Sequence, residues 1–393
     1  MINIDNRKVV GKFAFLDLGF RPFFLGAAGF AVISVLIWMG VYVFGWTLRL
    51  NGIPPVAWHA HEMIYGYGLA VIAGFLLTAI RNWTDIPTLN GVPLLLLFLL
   101  WAAGRIVPFI GGVVPVQLAA ATDTLFIVIL LLSATRPVVK ASQWEQWGIL
   151  LILALMLAGN VTFYLGLLNL LPNGVFVGLY SGLYLIVALI FTVGRRVIPT
   201  FIERGVGYSV QLKNRRWLDR SSLLFFLLFW IADLLRPNGA PVALLAGILF
   251  VLHGIRLAGW HTYGLWKKPL LWVLFLAYGS LVAGFALKVA VFVFHFSPYL
   301  AVHAFTVGGI GLMTIGMMAR VSLGHTGRNV LDPPSGLSWM FAVLFVGAIV
   351  RVVFPLLNPS HYVVWIGLSQ ALWIVSFAMF LYVYSPMLIR PEI

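Results

Sequence analysis

The sequence predicts an all-α polytopic membrane protein of about twelve transmembrane helices, and its internal echoes fit three pseudo-symmetric four-helix units. Three observations predict it. Of 393 residues, 62% are hydrophobic and only 9% charged, where a soluble domain carries about 25% charged residues. Apolar runs near the roughly 20 residues that cross a bilayer recur along the whole chain. Lys and Arg fall almost entirely in alternate loops, the signature of a fixed orientation across a membrane.

The elements follow in order. Residues 1–21 carry Arg7, Lys8, Lys12 and Arg21 among polar neighbours and lack the short apolar core and cleavage site of a signal peptide, so they read as a cytoplasmic segment. A single transmembrane domain, residues 22–387, comes next. Its first span, about 22–46, is free of charge. The second, 59–80, opens on "WHAHEMIYGYG" with His59, His61, Glu62 and Met63 at its head. The third, 92–110, holds Arg105; the fourth, 115–134, holds Asp123; the fifth, 147–170, holds Asn160. The sixth, 174–194, closes on Gly194 and Arg195. A basic cytoplasmic loop at 195–220 then divides the chain into halves. The seventh span, 221–235, is the shortest and contains Asp233; the eighth, 240–260, contains His253. Lys288 and His295 lie toward the end of the ninth, 269–295, and His303 one turn into the tenth, 299–319. Arg351 lies in the eleventh, 337–357, and His361 opens the twelfth, 361–387, before a tail at 388–393.

With the N-terminus inside, the outer segments keep only Arg49 and Arg236, and both termini are expected in the cytoplasm. The net charge of +14 is thereby a topology signal with scope for anionic lipid contact, and nucleic-acid binding is not expected. Cysteine is absent, which excludes disulfides, thiolate metal sites and Fe–S clusters.

On this topology the polar intramembrane residues gather in the outer half, with His253 the main exception. Each has an ordinary reading, since Arg105, Lys288 and Arg351 can snorkel to headgroups and Asp233 can pair with one of them. Their collection on one side points instead to a polar, outward-opening site.

The second and tenth spans echo each other. His61-x4-Gly66-x7-Gly74 closes on Arg81, and His303-x4-Gly308-x7-Gly316 closes on Arg320. Arg105-x2-Pro108 and Arg351-x3-Pro355 echo one span later. Two neutral imidazoles from different helices suit the axial positions of a haem iron. Gly66 and Gly308 would let a flat macrocycle approach the helices, and Arg105 and Arg351 would meet its propionates. His61 and His303 are the expected pair. The alternative for each is a hydrogen bond to a neighbouring helix. His59 and His61 stand about 200° apart on a regular helix, so they serve different sites. His59, His295 and Met63 offer the imidazole and thioether donors that suit copper.

Three stretches give the chain a family likeness: "GFRPFFLGAAG" (Gly19 to Gly29), "WHAHEMIYGYGLAVIAGFLLTAIRNWT" (Trp58 to Thr84) and "HAFTVGGIGLMTIGMMARVSLGHTGR" (His303 to Arg328). With "RRVIPTF" (Arg195 to Phe201), they resemble the NnrS family of membrane proteins linked to nitric oxide stress. The resemblance implies twelve helices, bound haem of b type, copper, nitric oxide or a related ligand, and a place in a bacterial inner membrane. It carries over His59, His61, Glu62, His303 and His325 as motif residues. The layout is also similar to the main subunit of haem-copper oxidases. The seventh span has no histidine pair and the sixth no histidine, so dioxygen reduction of that kind is not expected. Whether the protein is an enzyme stays open. The rival reading is a secondary transporter of a small solute or metal ion, for which Asn160 is the lone midplane candidate.

Overall fold

The computed structural model describes residues 14–50, 52–110 and 115–391. Most of the basic N-terminal segment, including Arg7, Lys8 and Lys12, and the last two residues of the tail lie outside the described residues. Among the described residues the chain forms twelve long helices: α1 (Phe20–Tyr42), α2 (Pro55–Thr84), α3 (Gly91–Phe109), α4 (Val116–Lys140), α5 (Trp144–Leu167) and α6 (Gly174–Gly205) in the first half. The second half has α7 (Arg216–Leu235), α8 (Ala240–Trp260), α9 (Pro269–Phe294), α10 (Pro298–Gly324), α11 (Leu337–Leu357) and α12 (Pro359–Ile389). Eleven are long and apolar enough to cross a bilayer. The exception is α7, whose 20 residues open on Arg216, Asp219 and Arg220.

Three helices form the centre. In α2, α6 and α10 the apolar stretch is 83%, 67% and 72% buried, against 33 to 56% in the other apolar helices. They touch pairwise. Tyr65 of α2 donates to the Gly178 carbonyl of α6 at 2.7 Å, and Tyr67 of α2 shares a 2.6 Å hydrogen bond with Thr314 of α10. The Tyr184 ring of α6 meets Phe305 of α10 edge-on at 6.5 Å. In a bilayer, association rests on close packing and interhelical hydrogen bonds because lipid competes for apolar surface. Aromatic rings with satisfied hydroxyls supply both. The central helices stand four apart in the chain, the interval of the expected repeat.

Both His-bearing central helices start with proline at the first turn, Pro55 and Pro298, where its missing N–H breaks no hydrogen bond. Both then leave α geometry just beyond the histidine. A π-helical segment follows His61 from Glu62 to Gly68, and another follows His303 from Ala304 to Gly311. Such wide turns are rare and concentrate at functional sites.

The basic 195–220 segment is more ordered than a loop. Helix α6 continues to Gly205 through Pro199, which has no N–H for the Arg195 carbonyl. Asn214 donates to that carbonyl at 3.4 Å instead. Arg195 and Arg256 both pair with Asp219, at 3.4 and 2.8 Å, which begins α7 earlier than hydropathy indicates. Arg21 is buried, and its guanidinium donates to the carbonyls of Met387, Leu388 and Arg390. A cation thereby closes the C-terminal end of α12, where orphan carbonyls concentrate negative charge.

Candidate functional site

Each central helix receives a charged residue from the helix that follows it. Arg105 of α3 reaches Glu62 of α2, Asp233 of α7 takes the Tyr184 hydroxyl of α6 at 2.5 Å, and Arg351 of α11 meets His303 of α10 at 3.0 Å. All three contacts lie toward the end of the bundle where α2 and α10 begin.

The first contact anchors a buried network, in which Arg105 Nε and Asn160 Nδ2 are without a hydrogen-bond partner. Arg105 bridges Glu62 and Asp123, and the Tyr164 hydroxyl donates to the other Asp123 oxygen at 2.5 Å. His61 joins through both ring nitrogens: Nε2 lies 2.9 Å from Asn160 Oδ1, and Nδ1 lies 3.3 Å from Glu62 Oε1. Its ring is stacked on Phe163 at 4.4 Å. Five charged or polar side chains (His61, Glu62, Arg105, Asp123 and Asn160) are each at least 94% buried here. Buried ions are tolerable only when so paired and bonded. Gly66 makes room for it, because a Cβ there would stand 2.6 Å from an Arg105 terminal nitrogen and 2.7 Å from Glu62 Oε2.

A second cluster forms around His303. Arg351 is a pure donor, so His303 Nε2 accepts and its Nδ1–H donates to the Tyr299 carbonyl at 2.7 Å. Arg351 also lies 5.9 Å from the Tyr362 ring centre. His59 lies within electrostatic reach of both Arg351 and His303, and its ring is stacked on Trp38 of α1 at 4.5 Å. Two buried atoms here have no hydrogen-bond partner, His59 Nδ1 and one terminal nitrogen of Arg351.

The expected site residues therefore divide. His59, His303 and Arg351 come together; His61 and Arg105 belong to the other network and share no partner with His303. Gly308 admits α9, since a Cβ there would meet the Ser280 side chain at 2.7 Å. Met63 Sδ accepts from Ser34 at 3.7 Å, and His295 is exposed just past α9. Among the described residues no three His, Cys, Asp or Glu side chains are grouped to hold one metal ion. Asn160, the candidate for a transport site, meets His61 through Oδ1, and its Nδ2 has no partner. Elsewhere, Lys288 pairs with Asp233 at 2.7 Å, and His253, fully buried, bonds Tyr278 at 2.6 Å. At the opposite end of the bundle, burial and the nearby Arg81 and Arg21 hold His325 below its ordinary pKa; Asn82 faces its Nε2 at 3.5 Å. His361 is exposed and contacts Asn358 and Ser360.

Haem suits the second cluster on donor chemistry. A histidine whose Nδ1–H is held by a backbone carbonyl presents Nε2 as a neutral donor, the arrangement typical of metal-ligating imidazole. His59 adds a second imidazole with an unpartnered nitrogen, and Arg351 a cation with a spare donor for a propionate. Both nitrogens of His61 are engaged by side chains, Asn160 and Glu62, whereas the Nδ1–H of His303 is held by a backbone carbonyl and its Nε2 meets only the Arg351 guanidinium. The donors considered for copper do not converge.

Sequence reasoning missed the network of Glu62, Arg105, Asp123, Asn160 and Tyr164. Its members come from four spans with no common spacing; shared depth was the available signal. A family model described as NnrS protein matches residues 14–392. The comparison with curated proteins returns no match.

Proposed function

The chain belongs to the NnrS family, and from that premise we propose that it is a haem protein of a bacterial inner membrane, with both termini cytoplasmic, that binds nitric oxide or its products at an outward-facing site and relieves nitrosative stress. One observation carries the reading. Two unpartnered buried polar atoms, His59 Nδ1 and an Arg351 terminal nitrogen, flank a histidine already fixed in the tautomer of a metal ligand. Leaving such groups unsatisfied costs about 1–3 kcal/mol each, a cost that a bound group would relieve.

In this reading His59 and His303 would hold the haem, and Arg351 would offer its charge to a propionate. Haem there would supply an iron that takes nitric oxide and exchanges electrons. Tyr299 keeps the His303 proton on Nδ1, so Nε2 stays a neutral donor. Trp38 holds the His59 ring flat against α1. The network around His61 and Glu62 holds the start of the α2 π segment, two residues past His59. Copper is also implied by the resemblance, but no step here depends on it.

Titration of the dithionite-reduced, detergent-purified protein with nitric oxide tests the reading. A Soret band that shifts with stoichiometric nitric oxide is expected. A folded protein from haem-replete cells with no Soret band would contradict it.

A further inference from the structure

The most anomalous polar side chain outside these clusters is Gln370, near the middle of α12. It is 7% exposed, and neither its amide nitrogen nor its amide oxygen has a hydrogen-bond partner. Its buried neighbours are treated differently. Ser369 donates to the Gly347 carbonyl and Ser376 to that of Met340, both at 2.8 Å, while the Trp373 indole donates to Ala31 of α1 at 3.2 Å. An amide that is both unpartnered and shielded from water is rare in native proteins and calls for a specific cause.

Its position in the bundle supplies one. Buried residues Ile366, Gln370, Trp373 and Phe377 recur every three to four positions, so they share one face of α12. Trp373 and Phe377 on that face pack edge-on against Tyr67 of α2, at 5.7 and 5.5 Å. Trp373 also crowds Gly311, in the α10 π segment. Gln370 therefore points into the bundle one turn outward of Tyr67. Met63 lies at that level on α2, with His59 one turn farther out.

We propose that Gln370 is the hydrogen-bonding wall at the deep end of the His59–His303 site, its amide N–H donating to a small nitrogen-oxide ligand. The inference rests on the haem reading and adds to it the residue that recognises the ligand's oxygen or nitrogen. It also gives the unsatisfied amide a purpose, because a preformed donor is destabilising until its ligand arrives.

Gln370→Leu and the unbranched Gln370→Met test it by two readouts. In haem-free protein both variants are expected to melt at a higher temperature than wild type, since each removes an unsatisfied amide. In haem-loaded protein both should bind nitric oxide about tenfold more weakly, the weight of one hydrogen bond. Lower melting temperatures in both haem-free variants would show the amide to be a structural bond and overturn the proposal. So would unchanged nitric oxide affinity in the loaded variants. Wild-type protein that takes up no haem would instead sink the haem reading, an outcome seen before any variant is compared.

Discussion

Arg351 donates to His303 Nε2 at 3.0 Å and pairs with no carboxylate among the described residues. Arg105, its counterpart eight helices earlier, is held between two, Glu62 and Asp123. The same residue type at corresponding positions is thus paired with two carboxylates in one unit and with a neutral histidine in the other.

That contrast sets the first prediction. Arg105→Met leaves two buried carboxylates uncompensated and should destabilise the protein by about 3–5 kcal/mol. Arg351→Met strands no opposite charge and should cost the ligand-free protein only about 1 kcal/mol, while sharply lowering haem retention. Thermal unfolding in detergent, paired with haem content, reads both. Equal destabilisation by the two would remove the distinction drawn between them.

The α2–α6 contact gives the second. A Cβ at Gly182 would stand 2.6 Å from the Tyr65 hydroxyl oxygen and 2.7 Å from Ile64. Gly182→Ala should therefore push α6 from α2 and cost about 1–3 kcal/mol, the usual range for overpacking. It should also disturb the hydrogen bond from Tyr65 to Gly178. The melting temperature of the variant checks this, and wild-type stability would mean that the central contact is loose.

The third concerns pH at the basic end. Burial, then Arg81 and Arg21, hold the folded-state pKa of His325 below its ordinary value near 6.5. The unfolded chain then binds the proton more readily than the folded one. The stabilising contribution is fully present above about pH 6.5 and is lost as pH falls below it. Wild-type protein should melt lower at pH 5 than at pH 8, and His325→Asn should reduce that difference. An identical pH dependence in the variant would exclude His325 as its source.

Much of the fold was legible in the sequence because bilayer thickness sets the length of apolar runs and Lys and Arg mark the loops. The twelve helices, eleven of them long and apolar enough to cross a bilayer, follow from those constraints, and the kinship of α2 with α10 from their shared His and Gly spacing. The continuation of α6 past Arg195 did not, since hydropathy ends where Asn214 and Asp219 begin to support the helix. His59 and His61 have separate surroundings that were also out of reach. They stand on different faces, and what engages His61 is Asn160, ninety-nine residues away and without any local signal. The π segments are invisible to a 3.6-residue period, although they set the direction of every side chain near them. Gln370 is a single amide in an apolar run, and only its lack of partners makes it conspicuous.

The central claim is that His59 and His303 hold haem while His61 supports the fold around them. The most direct measurement is the visible spectrum of the purified protein, oxidised and reduced, beside His59→Ala, His61→Ala and His303→Ala variants. The account predicts a six-coordinate b-type spectrum in wild type that is lost or converted to five-coordinate in the His59 and His303 variants. In His61→Ala the ligand-field pattern should persist, with lower protein stability. A spectrum that survives loss of His59 but collapses with His61 would contradict it, and would return the ligand role to His61.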